Sequence, residues 1–250
     1  MKKILAIILL TFMQQLAEAQ SSFLTDQKRY ERVRNAISEK DIIIKDKLKE
    51  SGINLNELNM LIRAFKEEDE VEVFVKKKTD EYYILLMTYS VCAKSGQLGP
   101  KRAEGDFQVP EGFYYIDRFN PASTFHLSLG INYPNLSDTR KSTADHLGGD
   151  IFIHGDCVTI GCLPMTDTKI KEIYLYALNA KNNGQSKIPV YIFPFRMTTS
   201  KFKEYTKGQK DNVELIDFWS NIKLGYDLFE KEKKELKISV NNNGEYQYGQ

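Results

Sequence analysis

Apolar residues recur along this chain in two rhythms, one near 3.6 residues and one of about two, and the change between them marks out its elements. Over 25–50, Tyr30, Val33, Ile37 and the run Ile42 to Ile44 follow helical spacing, with Thr25 or Asp26 placed to cap the start and Ser51-Gly52 to stop it. The many Lys and Glu between them read as a solvated face. Residues 54–65 fit both rhythms: Leu58, Leu61, Ile62 and Phe65 suit a helix, whereas Met60, Ile62 and Ala64 alternate. A strand from about Met60 is the preferred reading, because strands follow directly. Val71 to Val75 and Tyr82 to Val91 are β-branched and aromatic and flank Lys76-Lys77-Lys78-Thr79-Asp80, which predicts a β-hairpin. Further strands are expected at Phe113 to Ile116, at the alternating Phe125-His126-Leu127-Ser128-Leu129, at Ile151 to Ile153 and at Ile188 to Phe193. Pro189 and Pro194 bracket the last of these, as is usual near a sheet edge. Ile170, Ile173, Tyr174 and Ala177 predict a helix over 167–178 capped by Asp167, and 201–226 reads as another, docked by Phe218, Trp219 and Leu224. Between Tyr133 and Gly149 the chain is polar and irregular, a cleft-edge loop in character with His146 exposed in it, and 241–250 is expected to fray. The sum is an α+β, mainly β domain.

The first residues carry an export pattern. Lys2-Lys3 precede an apolar run, Ile4 to Phe12, too short to span a bilayer, and Ala17-Glu18-Ala19 forms a small-residue cleavage site ahead of Gln20. No Cys follows that site to take a lipid, and no later run predicts a transmembrane anchor. The organisation is then a signal peptide at 1–19, an N-terminal helical segment at 20–59, a main domain at 60–200 and a C-terminal helical extension and tail at 201–250. The expected location is outside the cytoplasm. With 42% hydrophobic residues the remaining chain can bury a sizeable core, and 35 basic against 34 acidic residues argue against nucleic acid as a partner.

Candidate chemistry concentrates in Asp150-Ile151-Phe152-Ile153-His154-Gly155-Asp156-Cys157-Val158-Thr159-Ile160-Gly161-Cys162. The chain holds only three His (126, 146, 154) and three Cys (92, 157, 162), and one His and two Cys meet in this stretch. A short strand delivers His154 to its end, Gly155 lets the backbone turn, and Gly161 removes bulk just before Cys162. A thiol with an imidazole in reach suits acyl transfer, with backbone amides near Gly161 and Cys162 as oxyanion donors. Zinc ligation needs about four donors, and no second cluster or C-x-x-C is present. A buried structural His with disulfide-paired Cys is the other reading. An odd Cys count in an exported chain leaves one free thiol or an intermolecular partner; Cys92 itself reads as a small buried residue. No cofactor is called for. Gly96-x-x-Gly99-Pro100-Lys101 lacks the Gly-Lys-Ser/Thr of a phosphate loop and reads as a turn.

His154-Gly155 followed by Thr159-x-Gly161-Cys162 resembles the H-G…[ST]-x-G-C signature of the YkuD-type L,D-transpeptidases. Collinear segments agree: Ser95 to Lys101 with Gly105-Asp106, Pro110-Glu111-Gly112-Phe113-Tyr114-Tyr115-Ile116, Phe125-His126-Leu127-Ser128, Tyr133-Pro134-Asn135, Met165-Thr166-Asp167 and Phe193-Pro194-Phe195-Arg196-Met197. The last four resemble a YafK-like subgroup. The resemblance implies a YkuD-like β-sheet catalytic domain with helical attachments at both ends. It makes Cys162 the nucleophile and His154 the base, steered by a backbone carbonyl for which Gly155 is the candidate. Gly161 then shapes the oxyanion site, and His126, Thr159 and Tyr133 are candidates for the cleft wall. Partners would be diaminopimelate-containing peptidoglycan stem peptides, with a wall-linked protein as a further one. The chain departs from many relatives in three places: its short His154 to Cys162 spacing, Ile160 where they carry a second histidine, and Pro164 where they carry Arg or Asn. Transfer to an amine, hydrolysis of a diaminopimelate-linked wall component, and wall binding without turnover all stay open.

Overall fold

The computed structural model describes residues 23–249. The export signal at 1–19 lies outside them. After a helical turn at 23–27 the chain forms α1 (Glu31–Glu50), a 3-10 turn (Leu55–Glu57), then β1 (Leu58–Phe65), β2 (Glu70–Lys77), β3 (Ile84–Ser90), β4 (Gly112–Asn120) and β5 (Ser128–Ile131). There follow α2 (Leu136–Lys141), β6 (Phe152–His154), β7 (Leu163–Pro164), α3 (Asp167–Asn182) and β8 (Pro189–Phe193). The chain closes with α4 (Thr199–Lys207), α5 (Val213–Glu232), β9 (Lys237–Val240) and β10 (Tyr246–Gly249).

Eight strands form one sheet in the order β3-β2-β1-β8-β4-β5-β6-β7, antiparallel except at β1–β8 and β6–β7. Helices cover both faces. Leu58, Met60, Ile62 and Ala64 of β1 pack with Val33, Ile44 and Leu48 of α1 and Ile170, Ile173 and Ala177 of α3. Leu61 and Phe65, pointing the other way, join Phe218, Trp219, Ile222 and Phe229 of α5 and Tyr246 of β10. A strand buried on both faces has no polar alternation, which is why residues 54–65 fit two rhythms at once.

Several elements differ from their expected form. α1 starts at Glu31, not at Thr25 or Asp26, because Tyr30 is extended (φ −84°, ψ 130°) and breaks the helix from the turn before it. Its buried stripe is Val33, Ala36, Lys40, Ile44 and Leu48, while Tyr30, Ile42 and Ile43 are exposed. Lys40 is therefore no part of a solvated face; its ammonium donates to Glu172 at 2.7 Å. The predicted edge strand is central: β8 lies between β1 and β4, fully buried, and Pro189 is tolerated as its first residue. The helix expected over 201–226 is two, parted at Gly208 to Asn212, and Leu224 points to solvent. Residues 246–249 do not fray: β10 pairs with β9, and Tyr246 is buried against Phe113 with its hydroxyl accepting from Asn135. Residues 133–149 include α2, capped by the Asn135 side chain.

Candidate active site

β6 ends in His154, and β7 starts one residue after Cys162. The two strands pair in parallel, Ile153 beside Leu163 and His154 beside Pro164. One step back in that register sets Phe152 beside Cys162, so Phe152, His154, Cys162 and Pro164 share a face and His154 is the diagonal neighbour of the thiol. Both side chains line one cavity of about 490 Å³, together with Phe125, Phe152, Val158 and Ile160. Cys162 also borders a second cavity, of about 100 Å³, walled by Lys66, Glu67, Lys94 and Gln97 among others. The nucleophile candidate thus stands between two hollows, both lined mainly by apolar surface, with charged side chains at the edge of the smaller one.

His154 is buried, and its Nδ1 lies 2.5 Å from the Gly155 carbonyl oxygen. A carbonyl only accepts, so Nδ1 carries the proton and Nε2 keeps a free lone pair. The Phe125 ring lies against the imidazole at 4.7 Å between centroids. Burial pushes the His154 pKa below the ordinary histidine value, against the Gly155 hydrogen bond and the Asp156 charge, which raise it. Burial pushes the Cys162 thiol up; Asp150 adds to this, while the Phe152 N–H, 3.4 Å from Sγ, and Lys101 oppose it. Both shifts favour the uncharged forms, a thiol at Cys162 and an imidazole at His154.

The turn that presents Cys162 is tied by Thr159. Its Oγ1 accepts from the N–H of Gly161 at 3.2 Å and of Cys162 at 2.8 Å, and donates to the Cys162 carbonyl at 2.9 Å. Gly161 needs to be glycine, since its φ is +134° and a Cβ would lie 3.0 Å from the Gln108 carbonyl oxygen. The two amides expected to face an oxyanion are therefore taken by Thr159, and an oxyanion could draw on them only by displacing that hydroxyl. Thr159 also lines the larger cavity.

The other candidates sit elsewhere. His126 precedes β5 instead of alternating within it; its φ is +65° and it faces Arg32, Asp156 and Asp167 in a separate cleft, its Nδ1 3.9 Å from Asp167 Oδ2. Tyr133 is a core residue, packed on Tyr114, with its hydroxyl donating to the Leu147 carbonyl. No residue of 133–149 lines either cavity beside Cys162; the larger is edged by 120–128 and 150–162. Cys92 is not an isolated small residue: it forms a disulfide with Cys157, leaving Cys162 as the free thiol. Sequence reading missed Ser128, opposite His154 across β5 and β6, whose buried hydroxyl has no partner. It missed Asp167 beyond its place at a helix start. Each stands within a motif that resembles the family's, but its place beside the His154 turn depends on strands and helices that are distant in the chain.

Comparison with known proteins bears on the family of the chain. The model of the YkuD family, described as the L,D-transpeptidase catalytic domain, matches residues 63–192. Over 183 residues, covering 72% of this chain and 70% of its relative, the sequence is 41% identical to YafK of Escherichia coli (strain K12), provisionally named an L,D-transpeptidase. Among solved structures, the helical cell shape determining protein Pgp2 of Campylobacter jejuni is 18% identical, with 73% of each chain covered and a TM-score of 0.45. Bd1075 of Bdellovibrio bacteriovorus is 23% identical over 64% of this chain and 56% of that one, with a TM-score of 0.39. The match over half of the chain and the identity to YafK place the protein in the YkuD L,D-transpeptidase family.

Proposed function

We propose that this chain is an exported cysteine acyltransferase acting on peptidoglycan stem peptides, with Cys162 as nucleophile and His154 as base. The observation that carries the reading is the pairing of the single free thiol with a histidine whose Nδ1 is bound to Gly155, both on the wall of one cavity. Cys162 Sγ gives its proton to His154 Nε2 as it bonds to the carbonyl carbon that joins an L-centre to a D-centre. Collapse of the tetrahedral adduct breaks the C–N bond, and the leaving amine takes the proton back from Nε2, leaving a thioester. With the neutral forms of both partners favoured by burial, proton transfer accompanies attack. The Phe152 N–H beside Sγ steadies the sulfur as negative charge forms on it.

The second half-reaction needs an acceptor. Two cavities meeting at Cys162 give an amine its own approach, which supports transfer to a second diaminopimelate-bearing stem over hydrolysis. The Cys92–Cys157 disulfide fits an oxidising compartment and supports a periplasmic site of action, next to stem peptides and wall-linked protein.

Purified protein is incubated with tetrapeptide muropeptides, with and without an added amine, and with stems substituted on diaminopimelate. The expected result by mass spectrometry is an acyl adduct on Cys162 and an amine-exchanged product. Cys162→Ala removes both, and His154→Ala slows acylation by roughly 100- to 10,000-fold. Water-released stems in the presence of amine would make the protein a hydrolase, binding without turnover would make it a wall-binding module, and an active Cys162→Ala protein would remove the cysteine mechanism.

A further inference from the structure

The peptide unit joining Gly155 to Asp156 is held at both ends. Its carbonyl accepts from His154 Nδ1 at 2.5 Å, and its N–H donates to Asp167 Oδ1 at 2.9 Å. In a trans peptide these two groups point in opposite directions, so fixing the N–H also fixes the direction of the carbonyl. The local backbone needs such a hold. Asp156 has φ +63°, a left-handed conformation uncommon outside glycine, and it is held there by the Asp167 carboxylate at its N–H and by its own Oδ1, which accepts from the Cys157 N–H at 2.6 Å. Asp167 Oδ1 also presses on the preceding residue: a Cβ at Gly155 would lie 2.6 Å from it and 2.9 Å from the Phe125 carbonyl oxygen. Asp167 is itself anchored as the first residue of α3, directly after the Thr166 cap.

We propose that Asp167 is the positioning carboxylate of the Cys162–His154 pair, acting one peptide bond away from the imidazole. The proposal rests on the assignment of Cys162 and His154 given above. When Nε2 takes the thiol proton, the ring becomes cationic and the Gly155 oxygen meets that charge. A carboxylate bound to the N–H of the same peptide polarises it and strengthens its carbonyl as an acceptor, so the chain Asp167, peptide, imidazole, thiol is cooperative. The only proton that moves is the one passing from Sγ to Nε2 and on to the leaving amine; Nδ1 keeps its own. The charged and titratable neighbours of Asp167 are His126, near Oδ2 at 3.9 Å, and Arg32 and Asp156 in the same cleft, with Lys171 and Glu39 acting on His126. None of these hydrogen bonds to Oδ1, which serves the peptide.

The test uses the intact, oxidised protein, in which Cys162 is the free thiol, and compares wild type with Asp167→Ala and Asp167→Asn. Two rates are read: alkylation of Cys162 by iodoacetamide near pH 7, and acylation by a tetrapeptide muropeptide. The expected result is that Asp167→Ala slows both by roughly 10- to 100-fold, a part of what a general base contributes, with KM near wild type. Asp167→Asn keeps an oxygen acceptor for the Asp156 N–H and is expected to recover most of the loss. Should the alanine variant not fold, Asp167→Ser, which suits a helix start, gives the same comparison. Wild-type alkylation rates in a folded Asp167→Ala protein overturn the proposal, as does an asparagine variant no faster than the alanine one. Alkylation that depends on Asp167 while wild type acylates no stem peptide upholds the positioning role and rejects the substrate assignment.

Discussion

Three histidines of one chain meet three fates, and what separates them is the backbone around each. His146 is exposed, His126 lies against Asp167 in a cleft of its own, and His154 alone is buried at a strand end with a carbonyl on Nδ1 and its ring on the wall shared with a thiol. Burial shifts the two members of the pair in opposite senses, and the sign fixes the pH dependence of acylation. His154 is lowered, so the neutral base persists below the ordinary value of about 6.5, and the acid limb of kcat/KM is expected below that pH. Cys162 is raised, so in the free enzyme its alkylation by iodoacetamide is expected to climb only above the ordinary thiol value of about 8.5. A pH–rate profile and an alkylation profile check the two limbs. Fast alkylation on the acid side would reveal a preformed thiolate–imidazolium pair, contrary to the neutral pair described above.

The element that presents the site is short: β6 and β7 hold three and two residues, and the chain between them makes no regular structure. Its shape is imposed from outside. Thr159 ties the Gly161–Cys162 end, Asp167 ties the Gly155–Asp156 end, and the Cys92–Cys157 disulfide joins the middle to the segment after β3, where the Cys92 N–H also donates to the Pro164 carbonyl. That disulfide closes a sequence separation of 65 residues, for which loop-closure entropy alone gives about 4 kcal/mol. Reduction, or the Cys92→Ser/Cys157→Ser pair of substitutions, is expected to lower Tm by roughly 10 °C. Scanning calorimetry with and without reductant measures it, and an unchanged Tm would mean that the hydrogen bonds hold the loop unaided.

At the scale of the whole molecule, the C-terminal residues complete the core instead of trailing from it. Tyr246 packs edge-on against Phe113, and its hydroxyl accepts from Asn135 next to α2. Tyr246→Ala leaves a cavity in the second core and takes the acceptor from one Asn135 N–H, the other staying on the Phe113 carbonyl, at an expected cost of about 3 kcal/mol. Urea unfolding of this variant is expected to show a lower midpoint, with acylation by the folded protein nearly unchanged because Tyr246 lines neither cavity beside Cys162. A midpoint equal to wild type would return the tail to a peripheral role.

The sequence by itself determined the elements whose neighbours are local. The β2–β3 hairpin, the α3 stripe of Ile170, Ile173 and Ala177, and the strand leading into His154 each follow from residues a few positions apart. It also determined the concentration of His and Cys that marks the site, since scarcity can be read without a fold. Only the tertiary structure decided which strands are central, because a strand buried on both faces, such as β1 or β8, loses the alternation that signals a strand and its position. It decided that Cys157 belongs to Cys92, that Tyr133 is core and His126 stands apart, and that the Gly161 and Cys162 amides are taken by Thr159. The physical reason is common to all of these: each depends on which atoms lie within about 3 to 5 Å after residues distant in the chain are brought together, and spacing along the sequence carries no measure of that distance.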